Sequence, residues 1–288
     1  MSSNPKENRV LVLGTSQDGG YPQVGCSRKC CIHAWENNYS RKVSSLAIIS
    51  DGDCWLVDIT PDFPSQLKMI ESEINGLPKI AGIFITHAHV GHYLGLLDLG
   101  LEIMNTNKIP VYVMPSMGTF LKENGPFKQL VDLENIKLMP LIPDELVFLK
   151  NNLLITPFLV PHRNEFSETV GYKIHLDNNS LIYIPDIDSW EEWDGNMIDL
   201  VKNNDVAILD GTFYDGNELE DRKIEDIPHP CIKDSLKIFS LLEVVDRKKV
   251  YFTHLNHTNP VIQSSSSERL ELLSHGYNVA EDGMVFKF

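Results

Sequence analysis

Residues 86–92 read THAHVGH, directly after the apolar run IAGIFI at 80–85. Three of the chain's 10 histidines fall in these seven positions. The apolar run predicts a buried strand, and the histidines sit at its C-terminal end. On an extended segment, side chains two apart point to the same side, so His87 and His89 can chelate one ion. His92 lies three residues further on, where the chain is expected to turn into a helix, and approaches from another direction. Clustered neutral imidazoles suit borderline metals such as zinc.

The same pattern recurs along the chain. FLVPH ends at His162, LIYIPD at Asp186, VAILD at Asp210 and VYFTH at His254. Each is an apolar strand candidate followed by a metal-ligating type of residue, and active sites gather at such strand ends. Further strands are expected at 9–14, 44–50, 54–58, 111–114, 146–149, 153–160 and 170–175. The DGD at 51–53 marks a hairpin. Helical spacing predicts helices at 64–74, 93–104, 117–123, 190–203, 231–245 and 270–274, and the segment 276–288 reads as closing strands. Strands interleaved with helices, without a linker or a repeat, predict an α/β sandwich over residues 1–288 as one domain.

A second constellation lies in GCSRKCCIH at 25–33, where Cys26, Cys30, Cys31 and His33 fall within eight residues. Five cysteines in all is an odd count that does not suit a disulfide framework. Three close thiols suit a tetrahedral zinc better. THLNH at 253–257 adds His257, so His33 and His257 are rivals for the fourth ligand.

Bulk composition narrows the function. The formal net charge is −15, which argues against an extended nucleic-acid surface. A small anionic substrate stays compatible, because bound cations reverse the local sign. No apolar run is long enough to span a bilayer, and the start MSSNPKENR lacks a signal-peptide core. The chain reads as cytoplasmic; an exported form whose leader has been removed would look the same. No GxSxG elbow, Walker loop or dinucleotide fingerprint is present. Oligomeric state is not readable from the sequence.

With these residues in view, the chain resembles the metallo-β-lactamase-fold hydrolases over nearly its whole length. Their motif is HxHxDH, then a distant His, Asp and His, here matched by His87, His89, His92, His162, Asp186 and His254. The resemblance implies an αββα sandwich, two mixed sheets inside with helices outside. It also implies one metal on His87, His89 and His162, a second on His92 and His254, and Asp186 between them. The motif aspartate is replaced by Gly91. A first site that binds zinc, manganese or iron strongly is therefore expected, with a second that is weak or empty. Asp18 and Asp210 are the candidates to make up the missing carboxylate.

Within that superfamily the chain is most similar to the branch with PqqB, the pyrroloquinoline quinone biosynthesis protein B, and the phosphonate-pathway cyclic phosphodiesterase. The segments GYPQVGC, DGTF at 210–213, NHTNP at 256–260 and EDGM near the end carry that likeness. It implies a structural zinc on Cys26, Cys30, Cys31 and His257. Metal-activated hydrolysis of an ester-type small molecule is the leading expectation, with Asp186, His254 and His229 as catalytic candidates and Arg163 as a substrate contact. PqqB-like oxidative chemistry at non-haem iron and a non-catalytic metal-binding accessory role are the alternatives.

Overall fold

The computed structural model describes residues 8–150, 152–219 and 227–288. The polar start of the chain lies almost wholly outside them. Six strands come first: β1 (Arg9–Gly14), β2 (Ser45–Ser50), β3 (Asp53–Val57), β4 (Lys79–Phe84), β5 (Ile109–Val113) and β6 (Ile136–Pro140). Seven follow: β7 (Val147–Lys150), β8 (Leu153–Leu159), β9 (Val170–Leu176), β10 (Asn179–Ile184), β11 (Val206–Asp210), β12 (Val250–Thr253) and β13 (Asn278–Val279). The last, β14 (Val285–Lys287), returns to pair with β1. Among the described residues each sheet has seven strands, in the orders β14-β1-β2-β3-β4-β5-β6 and β13-β12-β11-β10-β9-β8-β7. Both are mixed. Pairs from β3 to β6 and from β10 to β13 are parallel, and the others are antiparallel.

Strand composition explains the layering. The continuous apolar runs of β1, β2 and β11 are buried on both faces, whereas LLITPFL in β8 alternates. One core lies between the sheets and joins Val10, Ile48 and Trp55 to Ile155, Tyr172 and Ile208. The outer face of the first sheet is covered by helices at Phe63–Ile74, Pro115–Glu123 and Gly125–Asp132. The outer face of the second is covered by Lys29–Asn37, Met197–Lys202, Ile232–Phe239 and Ser267–Ser274. This is the expected αββα sandwich. Full burial of each large apolar side chain here stabilises it by about 1.5–3 kcal/mol.

Several helix expectations need correction. The span 93–104 is a 3-10 turn at Leu94–Leu99, because Gly95 packs tightly on residue 60: a Cβ there would lie 2.3 Å from the Thr60 carbonyl oxygen. The span 190–203 is helical only over Met197–Lys202, since Asn196 caps it and accepts from the Asp199 N–H. The span 231–245 breaks into Ile232–Phe239 and Val244–Arg247, and the Arg247 side chain donates to the Leu242 and Ser240 carbonyls in the gap. Conversely, Lys29–Asn37 is a helix where a loop was expected, and Gly125–Asp132 and β6 were not foreseen. The DGD hairpin is present, with Asp51 and Gly52 both at positive φ.

The strand directions place every motif residue at one edge of the sandwich. β1, β3 and β4 run the same way, so the residues after them, Asp18, Asp58 and His87, share that edge. β8, β10, β11 and β12 likewise deliver His162, Asp186, Asp210 and His254.

Candidate metal centre

At that edge the two sheets bring their histidines together. His87 Nε2 lies 2.8 Å from His89 Nδ1, and His162 Nε2 lies 3.1 Å from the same atom. Asp186 Oδ2 is 3.3 Å from both His87 Nε2 and His162 Nε2, and 3.9 Å from His89 Nδ1. These four residues form one group able to hold an ion. His92 Nε2 and His254 Nε2 each lie 3.8 Å from the same oxygen. With Asp18 they form a second such group, and Asp186, Asp210, His229 and His254 form a third. Asp186 Oδ2 therefore has donors of the first two groups within 4 Å.

The tautomers follow from the hydrogen bonds. Asp58 is fully buried and accepts from the Thr86 N–H at 2.8 Å and the Thr86 hydroxyl at 3.0 Å. The Thr86 hydroxyl proton is thus spent, so His87 Nδ1, 2.9 Å away, must donate to that oxygen. Asp58 also accepts from His92 Nδ1 at 2.7 Å. The second sheet repeats the device. Asp210 accepts from the Thr212 N–H and hydroxyl, both at 2.8 Å; Thr212 Oγ1 accepts from His254 Nδ1 at 2.9 Å, and Asp210 accepts from His229 Nδ1 at 2.8 Å. His162 Nδ1 donates to Asp188 at 2.6 Å. In all four of His87, His92, His162 and His254 the outer nitrogen is held, and the Nε2 lone pair faces the centre. Such outer partners fix ring orientation and raise ligand basicity. His89 is turned the other way, with Nδ1 inward and Nε2 3.5 Å from Glu165.

The donors have no other use. His92 Nε2, His254 Nε2, Asp18 Oδ1 and Asp186 Oδ1 are buried and make no hydrogen bond. An unsatisfied buried polar atom is costly, so four in one place fit a cation better than an empty core. Electrostatics agree. Burial holds the Asp186 carboxyl against ionisation, but the charges of His162, His254 and His229 win and keep it well below the usual carboxylate range. Burial, then His92, pushes His87 well below its ordinary value, and burial lowers His254 as well. Burial alone would lower His92 and His162 too. Asp58 instead raises His92 to about 9, and Asp186 and Asp188 raise His162 to about 10. A metal must displace those two protons.

His254 has φ 58, a left-handed conformation for a fully buried non-glycine residue. Strain of this kind costs on the order of 1–3 kcal/mol and gathers at functional sites. Here the bend turns the chain towards His257, which joins the cysteines.

Cys26, Cys30, Cys31 and His257 form a further ion-capable group, apart from the histidines. Cys31 Sγ is 3.3 Å and Cys30 Sγ 3.7 Å from His257 Nδ1. Backbone N–H groups of Gln23 and Arg28 donate to Cys31 and Cys26. Burial, then the neighbouring cysteines, pushes the Cys31 thiol up to about 12, a state that a bound metal inverts. His33 is excluded. The helix Lys29–Asn37 carries its ring away to Asn37 and Tyr39.

All the residues singled out in the sequence except His33 and Arg163 lie at one of these two places, and Arg163 lines a cleft beside them. His229, expected as a catalytic residue, is buried with Nδ1 3.4 Å from Asp186 Oδ1. Burial lowers its pKa but Asp210 and Asp186 raise it overall. Asp210, one candidate for the missing carboxylate, accepts from Thr212, Ile187 and His229, and belongs to the ion-capable group with Asp186, His229 and His254. Sequence reasoning missed Asp58, Asp188, Thr86 and Thr212. The signal for Asp58 was available: CWLVD ends in a carboxylate like the other strand-end residues. Two clefts flank the centre. One, of about 740 Å³, is lined by Asp18, Arg28, Arg163, Asn256 and His257; the other, of about 650 Å³, by His162, Trp193 and Thr169.

Known proteins share this architecture. The solved structure of Zn(2+)-bound PqqB from Methylobacterium extorquens superposes with a TM-score of 0.80 at 23% identity, covering 97% of this chain and 100% of that one. A new diphosphatase from the PhnP family gives 0.68 at 23% identity, covering 98% and 97%. In sequence, Coenzyme PQQ synthesis protein B of Gluconobacter oxydans (strain 621H) is 26% identical over 307 residues, covering 96% of this chain and 98% of that protein. The fold is the metallo-β-lactamase fold. Residues 55–255 match the family described as Beta-lactamase superfamily domain, and the chain belongs to that superfamily.

Proposed function

We propose that this centre makes the chain a metal-dependent hydrolase of a small, anionic ester, with a phosphodiester as the favoured class. One observation carries the reading: four imidazoles pinned at Nδ1 turn their lone pairs on one buried carboxylate, Asp186. His87, His89 and His162 would hold the first ion, His92 and His254 the second, with Asp186 between them. Zinc, manganese and iron all suit these donors. A bound divalent ion supplies Lewis acidity and lowers the pKa of water towards neutrality. The protein's own groups do the rest. Asp186, kept ionised, orients a water molecule and accepts its proton. His229, fixed by its Nδ1 proton on Asp210, hands the proton of its other nitrogen, Nε2, to the leaving oxygen. Arg163 and Arg28 line the larger cleft and offer positive charge to an anionic group, in a chain that is otherwise acidic. The Cys26, Cys30, Cys31 and His257 group would hold a structural zinc that stiffens the wall of that cleft.

A second reading is oxidative chemistry at iron, favoured by a histidine-rich set with a single carboxylate at the first group. One experiment separates the two. Protein loaded with zinc, manganese or iron is assayed on bis(4-nitrophenyl) phosphate and 4-nitrophenyl esters. Oxygen uptake by the iron form is followed in parallel. Ester turnover that disappears in His87→Ala supports hydrolysis. Oxygen uptake without ester turnover overturns it, and a loaded protein inert in both assays points to a binding role.

A further inference from the structure

Gly91 stands where the superfamily motif has an aspartate, and its surroundings explain why it is glycine. A Cβ built on Gly91 would lie 2.1 Å from Asp18 Oδ1, 3.0 Å from its Cγ and 2.9 Å from its Cα. The last contact is with backbone, so a side-chain rotation cannot relieve it. The space next to position 91 is therefore filled, and what fills it is a carboxylate from a different part of the chain.

Asp18 sits in the loop after β1. Its Oδ1 is 3.5 Å from His92 Nε2, and both atoms are buried without a hydrogen bond. His254 Nε2 is also buried and unpartnered, and the three donors lie within 4.8 Å of one another. The loop is anchored on the same side. The Gln17 N–H donates to the Leu255 carbonyl at 3.0 Å, Gln17 Oε1 accepts from Asn256, and the Ser16 N–H donates to the Lys42 carbonyl.

We infer that Asp18 supplies the second metal's carboxylate in place of the motif aspartate, and that Gly91 is the companion change that admits it. The inference rests on the metal-centre reading above and deepens it. The second site is then complete: His92, His254, Asp18 and the shared Asp186. It also differs in origin. Its carboxylate comes from the loop that runs on to Cys26, so the two metal regions are joined through residues 18–26 as well as through 254–257.

The test uses full-length protein saturated with Zn(II), with metal counted by elemental analysis and the last ion's affinity measured by competition with a fluorescent chelator. Wild type should hold one ion per chain more than Asp18→Ala. The near-isosteric Asp18→Asn should weaken that ion by more than the about 10- to 100-fold that outer-partner changes cost. Gly91→Asp alone should lower thermal stability and add no ion. The exchange Asp18→Gly with Gly91→Asp should restore the ion. The inference is overturned if Asp18→Asn, folded as judged by circular dichroism, matches wild type in stoichiometry and affinity. It is equally overturned if wild type and Asp18→Ala bind the same number of ions. Ester turnover is read separately. A wild type that holds the extra ion but cleaves no ester sinks the hydrolase reading and leaves the Asp18 assignment standing.

Discussion

Asp58 gives the sharpest test of how the centre is held. It touches no proposed ligand atom that faces the ions, yet it positions His92 directly and His87 through the Thr86 hydroxyl. Asp58→Asn keeps size and shape. Its remaining oxygen can still accept from the Thr86 N–H. The new NH2 group then faces His92 Nδ1, which donated to the lost oxygen at 2.7 Å. Two donors cannot share that contact, so His92 must move its proton to Nε2, the atom that faces the second ion. The loss of one charge-assisted hydrogen bond is worth about 1.5–3 kcal/mol. If the whole of it appears in metal affinity, the second ion weakens about 10- to 150-fold. The lost oxygen also accepts the Thr86 hydroxyl at 3.0 Å, so that proton is freed as well, the His87 tautomer is no longer fixed, and the first ion should weaken too. Chelator competition on wild type and variant, with circular dichroism to confirm the fold, reads both constants. Equal affinities in the two proteins would show that the Asp58–His92 contact does not set the tautomer, and the argument for outer positioning would fail.

Other expectations are simpler to state. His229→Gln should leave metal content unchanged and lower kcat for an ester by about 10²- to 10⁴-fold, the range for loss of a proton donor; steady-state kinetics with metal analysis checks it. Cys31→Ala should remove the zinc of the cysteine group and also weaken the ion that His254 holds, since residues 254–257 form one turn; metal counting on the variant decides. Metal affinity should rise with pH between about 6 and 9. His92 and His162, raised to about 9 and about 10, carry protons that the ion must displace below those values. The slope should be about tenfold or more per pH unit, by titration at several pH values. Tyr172→Phe removes the hydroxyl that donates to the Ile85 carbonyl at 2.6 Å, two residues before His87. It should cost about 1–3 kcal/mol in urea unfolding.

The strands and the inward donors were legible because both are written locally. An apolar run that ends in a histidine or aspartate announces its place, and 80–92, 158–162 and 250–254 all did so. The helices were less legible. Gly95, the Asn196 cap and the reach of Arg247 back to residues 240 and 242 broke runs whose periodicity alone looked continuous. The outer partners were the least legible. That Thr86 holds His87 depends on an aspartate from another strand, 28 residues away, and Thr212, whose aspartate is only two residues off, holds a histidine 42 residues further on. The choice of His257 over His33 was decided by a helix that the cysteine pattern concealed.

The centre draws on the whole chain in order. Asp18, His87, His89 and His92 belong to the first half, but His254 and His257 come from the last strand turn before the C-terminal helix and closing strands. During synthesis the early donors leave the ribosome long before their partners, and a partial set binds metal weakly. The second ion and the cysteine group close together, when 254–257 folds onto the first sheet. The first group needs nothing beyond Asp186. A chain truncated before residue 254 would lose a donor from the second site and from the cysteine group at once, and keep all four donors of the first.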